Sequence, residues 1–501
     1  MSHIRGNSFR RVSSPGIWRD AFFSSRTTQA TKDIGLVILG AAGNRGKSAL
    51  EMLPKLSATE RTKEIKLELV GMAEAGKESR EDLARYAVSQ FGYSCPVVGT
   101  LVEAIPYALR WLAGGQDRKL IIYDATPTAH HYLHLMTVLP HSEREHIYYF
   151  GEKPLFTKEN QADFVAHHFP GQTLFCEFIE TENPVFRAAS EFVRSASFQI
   201  QRMSFWRASC MGVEIAAGDG RGGVEGGALL DKAPHDLSVS VGLLGPRAVQ
   251  GWSVSQARTH LLALHEDAFR LGRRNFLSVA RAPLYDVSAP PHIPEQLPAD
   301  ALLSFDVDFT VPENRVIPAS YLASWVGIQN TEPELLWSAR LASLGIAPDE
   351  WLNSERSLVS QHGQFRYENQ EVRLGLVEGM LHNRKVHLVL NLLAKFEGRR
   401  FVHLIREDRR REVVFEEQDG RVYHDSKEAD LFSVFQRVVE HCAGLRCAEY
   451  VSTEASLLVH QIMLHALTKA NEQLHFIDQD EAFRASAQAY GKYLAPVEAL
   501  P

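Results

Sequence analysis

The stretch Ile34–Gly46 reads Ile-Gly-Leu-Val-Ile-Leu-Gly-Ala-Ala-Gly-Asn-Arg-Gly, an apolar run that ends in glycines at GxxGxxG spacing. Such a run is typical of a buried strand, and the helical periodicity of 48–56 follows it. Glycines at a strand-to-helix turn let the backbone approach a pyrophosphate, which N–H groups at the helix start then bind. Although such glycines also serve ordinary tight turns, this position predicts a dinucleotide site formed by Gly40, Ala42, Gly43, Asn44, Arg45 and Gly46.

Strand and helix signals alternate from this turn to about residue 156, with strand-like runs at 67–72, 119–124 and 146–150. Gly92 is a natural stop for one helix, and Thr100 and Glu103 form a capping box that opens the next. Repeated βα units join through right-handed crossovers, so they predict a doubly wound parallel sheet that binds its ligand at the carboxyl ends of the strands. Glu74 ends one strand, where its carboxylate favours the ribose of NAD over the phosphate of NADP. Thr126 and Pro127 follow another strand and are also expected near the cofactor. NADP stays open as the cofactor, because cationic side chains near Glu74 could override this preference. They are Arg45, Lys47, Lys77 and Arg80.

The second half of the chain has a different pattern. Its strand-like runs, many of which bring charged residues into alternation, predict an α+β domain with a large, mostly antiparallel sheet. The runs lie at 173–178, 198–207, 303–309 and 385–395. The amphipathic stretch 449–472 is expected to cross back onto the first domain. The predicted divisions are an N-terminal extension (1–33), a Rossmann domain (34–156), a substrate and oligomerisation domain (157–480) with an insertion at about 257–363, and a tail (481–501).

Composition limits the function. A net charge of −7 gives no general attraction to nucleic acid or to an anionic membrane, and no apolar run is long enough to span a bilayer. Five scattered cysteines suggest reduced thiols in a cytoplasmic protein. Residues 1–33 are rich in Arg, Ser and Thr, so organellar targeting stays open as an alternative.

Two segments carry candidate chemistry. Glu152-Lys153-Pro154 follows the last strand of the first domain, and Asp231 and His235 lie four residues apart, hence on one face of a helix. A lysine ammonium can polarise a substrate oxygen, an imidazole can take a hydroxyl proton, and the acid can orient that imidazole. Ordinary alternatives are a solvated loop lysine and a helix-capping pair. His130, His131 and His134 lack an acidic or cysteine partner at suitable spacing, so we expect no metal site.

These motifs resemble, in order and spacing, the Gfo/Idh/MocA family of oxidoreductases. The resemblance covers roughly 34–245 and rests on the glycine turn, on Ala125-Thr126-Pro127 with His131, on Glu152-Lys153-Pro154, and on 226–237, which reads Gly-Gly-Ala-Leu-Leu-Asp-Lys-Ala-Pro-His-Asp-Leu. It implies a Rossmann domain followed by a domain whose open sheet commonly forms an oligomer interface, and therefore a homo-oligomer, dimer or tetramer. Family members usually have Gly between the acid and the histidine, where this chain has Ala-Pro.

The resemblance implies an NAD(P)-dependent dehydrogenase that transfers a hydride between the nicotinamide and a hydroxyl carbon of a sugar, cyclitol or related polyol. In the family pattern the catalytic set corresponds to Lys153, Asp231 and His235, and the cofactor contacts also include His131, Glu152 and Lys153. Two other functions stay open: an NAD-dependent glycoside hydrolase or lyase that oxidises its substrate transiently, and a non-enzymatic NAD or sugar sensor. A sensor needs no proton-transfer set, which weighs against it.

Overall fold

The computed structural model describes residues 32–59, 62, 64–142, 146–168, 173–208, 228–259, 302–324, 332–351, 353–359, 366–393, 400–417 and 423–477. The predicted extension (apart from its last two residues), the predicted tail and Gly226-Gly227 lie outside these ranges. Within them, no helix combines the length and the apolar character needed to cross a membrane.

The first domain is built on a parallel sheet in the order β3-β2-β1-β4-β5-β6. Its strands are β1 (Lys32–Leu39), β2 (Ile65–Ala73), β3 (Val97–Val98), β4 (Lys119–Asp124), β5 (Ile147–Gly151) and β6 (Leu174–Cys176). Its helices are α1 (Asn44–Ser57), α2 (Lys77–Phe91), α3 (Leu101–Ala113), α4 (Thr128–Ser142) and α5 (Glu159–His168). The strand order reverses between β1 and β4, where Rossmann sheets bind dinucleotides.

Local sequence explains the helix ends. Gly92 closes α2 in the left-handed conformation with φ +70°, which glycine adopts without the steric cost of a Cβ. Thr100 caps α3, since its Oγ1 accepts a hydrogen bond from the Glu103 N–H at 3.3 Å. The Glu103 carboxylate in turn accepts from the Gly99 N–H at 2.9 Å. Both termini lie where the sequence predicts them.

The predicted strand at 173–178 belongs to the first sheet and not to the second. β6 pairs in parallel with β5, with Tyr149 opposite Leu174, and its three residues are fully buried. Because a short apolar strand reads the same in either sheet, periodicity did not place it. The parallel sheet therefore extends past the predicted boundary at residue 156.

The second sheet has the order β15-β14-β13-β12-β7-β10-β9-β8, and β11 pairs with β12. Apart from the parallel pair β7 and β10, its pairings are antiparallel, as predicted. Its strands are β7 (Gln199–Ala208), β8 (Gly251–Thr259), β9 (Leu302–Val311), β10 (Arg315–Ser324), β11 (Asn353–Val359), β12 (Arg366–Leu381), β13 (Arg384–Asn391), β14 (Phe401–Arg406) and β15 (Arg411–Glu416). β9 and β10, which lie within the predicted insertion at about 257–363, form a hairpin inside this sheet.

Helices from the second half of the chain pack on both faces of this sheet and on the first domain. They are α6 (Pro184–Ser195), α7 (Ala228–Leu244), α8 (Glu332–Ser343), α9 (Pro348–Trp351), α10 (Tyr423–Cys442) and α11 (Thr453–Ile477). α10 packs on the parallel sheet, where its Phe435 contacts Tyr123 and Phe150. α11 returns to the first domain, where Thr453 Oγ1 accepts the Leu174 N–H at 3.0 Å. On the far face, Trp337 of α8 and Trp351 of α9 pack on Trp206 of β7. Residues 332–351 thus cover part of this face of the second sheet.

Candidate active site

Two positions of the glycine turn, Gly40 and Gly46, leave no room for a side chain. Gly40 has φ +66°, and a Cβ there would lie 2.9 Å from the Ala125 carbonyl oxygen. A Cβ on Gly46 would lie 2.5 Å from both Ala41 Cα and the Gly40 carbonyl oxygen. The turn therefore packs against the segment after β4, and its backbone faces the start of α1, whose N-cap Gly43 has no side chain to occupy the first-turn N–H groups.

Charged residues connect this turn to neighbouring strand ends. Arg45 Nε lies 3.5 Å from Glu152 Oε1, and its Nη2 lies 3.6 Å from Glu177 Oε1. The charge of Glu177 in particular raises the pKa of Arg45, so the guanidinium is permanent. At the end of β2, the Glu74 carboxylate accepts the Ala42 N–H at 3.1 Å. The predicted cofactor residues Arg45, Glu74 and Glu152 thus surround one edge of the sheet.

Asp124 organises the segment that follows β4. Its Oδ1 accepts from the Thr126 N–H at 3.0 Å, and its Oδ2 accepts from the Tyr149 hydroxyl at 2.6 Å and from His134 Nδ1 at 2.8 Å. Burial opposes ionisation, but the charge of His131 and the bond from His134 outweigh it and hold the pKa of Asp124 below its usual range. This carboxylate fixes Thr126 beside Gly40.

His131 lies beneath the turn and is 1% exposed. Its Nδ1 is 2.8 Å from the Pro154 carbonyl oxygen and its Nε2 is 2.7 Å from that of Thr126. Both ring nitrogens are thus within hydrogen-bond distance of a backbone carbonyl oxygen. The predicted contact between His131 and the cofactor stays a prediction, and the structure shows the ring packed between two backbone carbonyl groups.

Lys153 and Asp231 meet although 78 residues separate them. The Lys153 ammonium donates to the Asp231 carbonyl oxygen at 2.6 Å and to its carboxylate Oδ1. Lys232, which sequence reasoning did not single out, lies 2.9 Å from the other carboxylate oxygen. Burial opposes ionisation of Asp231, but the two ammonium groups hold its pKa well below the usual range. The Asp231 carboxylate therefore forms ion pairs with two ammonium groups, those of Lys153 and Lys232.

His235 lies one helical turn beyond Asp231 on α7 and is 8% exposed. Its Nδ1 has no hydrogen-bond partner among the residues that the structure describes. Burial lowers the pKa of His235 well below 6.5, and the charges of Lys153, Arg207 and Arg373 lower it further. The imidazole is therefore neutral and offers a lone pair next to the Lys153 ammonium.

A buried ionic network holds α7 against the second sheet. Arg207 of β7 donates to the Asp236 carboxylate through Nε at 3.0 Å and Nη2 at 2.9 Å. Its Nη1 donates to Glu180 at 2.9 Å, and Arg373 reaches the same oxygen at 3.2 Å. Burial opposes ionisation of Glu180, but the two guanidinium charges lower its pKa to about 2. Because Asp236 follows His235 directly, this network fixes the position of the imidazole.

The structure thus brings together the glycine turn, Thr126, Glu152, Lys153, Asp231 and His235 at one edge of the parallel sheet. Sequence reasoning missed Glu177, which accepts the Tyr123 hydroxyl at 2.7 Å. Glu177 follows β6, so placing that strand in the first sheet would have identified it. No local signal marks Lys232, whose ammonium pairs with the adjacent Asp231. The partners of Arg207, Glu180 and Asp236, lie on other elements, so spacing along the chain does not reveal them.

No protein-family model matches the chain, and no curated protein matches its sequence. Solved structures do match its fold. An oxidoreductase domain protein from Kribbella flavida is 12% identical with a TM-score of 0.53, and the match covers 88% of this chain and 98% of that one. Levoglucosan dehydrogenase, solved with NADH and levoglucosan, is 13% identical with a TM-score of 0.52 over 88% and 98%. A myo-inositol dehydrogenase from Corynebacterium glutamicum is 12% identical with a TM-score of 0.50 over 88% and 97%.

At these identities the likeness establishes the fold. The predicted architecture, a Rossmann-type parallel sheet followed by a larger and mostly antiparallel sheet, is confirmed. The comparison is with two-domain dehydrogenases of the kind that the family resemblance implies. The role of each site residue stays a prediction.

The glycine turn generates the first stability prediction. We expect Gly46→Ala to lower the free energy of unfolding by about 1–3 kcal/mol, because the new methyl group meets backbone atoms. Gly71→Ala is the matched control, since a Cβ there would meet nothing nearer than 3.7 Å. Chemical denaturation of both variants measures the difference, and equal stabilities would contradict the packing described above.

The buried ionic network around Arg207 generates the second stability prediction. We expect Arg207→Met to cost about 3–5 kcal/mol of unfolding free energy, because it leaves the buried Asp236 carboxylate without its guanidinium and Glu180 with that of Arg373 alone. Arg85 pairs with Asp82 at the surface, where both side chains are more than two-thirds exposed. Arg85→Met should therefore cost less than about 1 kcal/mol in the same denaturation experiment. A small effect of Arg207→Met would refute the importance of the network.

Proposed function

We propose that the protein is an NAD-dependent dehydrogenase that transfers a hydride between the nicotinamide and a hydroxyl carbon of a sugar, cyclitol or related polyol. One observation carries this proposal: an ammonium, a carboxylate and a neutral imidazole lie at the same carboxyl edge of a Rossmann sheet as the glycine turn. The fold likeness to levoglucosan dehydrogenase supports the substrate class.

The residues present fit a dinucleotide. A Cβ at Gly40 or Gly46 would fill the cradle, and the first-turn N–H groups of α1 suit a pyrophosphate. Glu74 at the end of β2 suits a ribose diol and disfavours a 2′-phosphate, which favours NAD over NADP. When bound, the cofactor supplies the hydride acceptor or donor, and the protein supplies the rest.

Lys153 positions and polarises the substrate oxygen. Its ammonium is held by the Asp231 carbonyl and carboxylate, so its remaining donor capacity has a fixed direction. An ammonium beside an alcohol oxygen stabilises the negative charge that develops as the O–H proton leaves. Asp231 stays ionised because its pKa lies well below the usual range, and it balances that ammonium.

His235 is the proton acceptor. A neutral imidazole with an unoccupied nitrogen can accept the hydroxyl proton as the carbon–hydrogen bond breaks. The carboxylate of Asp231, one turn away, then offsets the new positive charge on the ring. Because Lys153, Arg207 and Arg373 disfavour that charge, the ring releases the proton readily after the reaction.

Replacing the lysine tests this assignment. We expect Lys153→Met to lower kcat by about 10²–10⁴-fold with little change in the Kd for NAD, because the lost group acts on the substrate oxygen. NADH formation with a panel of monosaccharides, anhydrosugars and inositols measures turnover, and Lys158→Met at an exposed position five residues along is the control. Undiminished turnover would remove Lys153 from the mechanism. Glycoside cleavage without NADH accumulation would favour a hydrolase or lyase.

The pH profile tests the role of His235. Since its pKa is lowered, the neutral base form persists as the pH falls, and activity is lost only when the ring becomes protonated. We therefore expect the acid limb of kcat/KM to lie well below pH 6.5, the ordinary value for histidine. An acid limb at or above that value would argue against His235 as the base, and His235→Asn should remove the limb together with most of the activity.

A further inference from the structure

The hydrogen-bond partners of His131 determine how many protons its ring carries. Nδ1 faces the Pro154 carbonyl at 2.8 Å and Nε2 faces the Thr126 carbonyl at 2.7 Å. A carbonyl oxygen only accepts hydrogen bonds, so each nitrogen must donate. A ring with hydrogen on both nitrogens is the imidazolium cation. Either neutral tautomer would set a nitrogen lone pair against a buried carbonyl oxygen, which is unfavourable because two acceptors then face each other without a proton between them.

A buried cation needs a compensating charge, and Asp124 provides it. The Asp124 carboxylate is fully buried, and its Oδ1 lies 4.0 Å from His131 Nε2. The pair is neutral as a unit, which limits the cost of burying it. The Tyr149 hydroxyl, which donates to Asp124, also lies 3.2 Å from the His131 carbonyl oxygen.

A second histidine binds the same loop from the other side. His460 of α11 is fully buried, and its Nε2 accepts the Leu155 N–H at 2.8 Å. Its Nδ1 donates to the Ser456 carbonyl at 2.6 Å, so this ring is the neutral Nδ1–H tautomer. Burial lowers the pKa of His460 to about 4, in agreement with that assignment.

We propose that His131, held as an imidazolium, and His460, held neutral, are positioning residues that fix the main chain directly after Lys153. They bind consecutive backbone groups, the Pro154 carbonyl and the Leu155 N–H, from opposite sides. These two contacts therefore hold in place the backbone segment that carries Lys153. The catalytic consequence rests on the function proposed above, whereas the two protonation states do not.

Neutron diffraction from crystals of the perdeuterated protein, grown near pH 8, tests the protonation states directly. We expect density for a deuteron on both ring nitrogens of His131 and on Nδ1 alone of His460. A single deuteron on His131 would overturn the proposal. This measurement needs neither a variant nor a substrate, so it decides the matter even if the proposed activity is never found.

Kinetics of His131→Gln test the positioning role. Glutamine keeps an amide donor but carries no charge, and we expect kcat to fall about 10²-fold, because small displacements of a catalytic group are costly. The Kd for NAD should stay unchanged. His168→Gln is the control, since His168 is exposed and bonds only within α5, to the Phe164 carbonyl at 2.7 Å. Unchanged kcat, or NAD affinity that falls in step with kcat, would refute the positioning role.

Discussion

The ion pair between Lys153 and Asp231 is the contact on which the site depends. Lys153 follows β5 of the parallel sheet, and Asp231 lies on α7, which packs against the second sheet. The two side chains are only 12% and 15% exposed. A buried charge without a partner is costly, so this pair constrains the relative position of both segments. The pair therefore holds the segment after β5 against the start of α7.

The same constraint recurs around the site. Arg207 with Asp236 and Glu180, Arg45 with Glu152 and Glu177, and His131 with Asp124 are each buried or half-buried charges that neutralise one another. Such pairs contribute little net stability, yet removing one partner is strongly destabilising. Together they orient every group that the proposed reaction uses. His235, by contrast, is left neutral among cations, which suits a base that must give up its proton after each turnover.

The sequence predicted the local elements well. The strand before the glycine turn, the left-handed stop at Gly92 and the cap at Thr100 depend on residues that are neighbours in the chain, and the structure contains all three. It predicted β6 in the wrong sheet, because a strand of three buried residues carries no alternation that distinguishes parallel from antiparallel surroundings. Glu177 was missed for the same reason, since its position at the site follows from the sheet that β6 joins.

By itself the sequence identified the candidate residues, since lysine, acid and histidine stand at spacings that point to one edge of a parallel sheet. Only the tertiary structure decided their charge states and partners. His131 fits the motif of a cofactor contact, yet the fold encloses it between two carbonyl groups and pairs it with Asp124. His460, 305 residues from its partner Leu155, has no motif at all. Protonation depends on burial and on the groups opposite each atom, and spacing along the chain encodes neither.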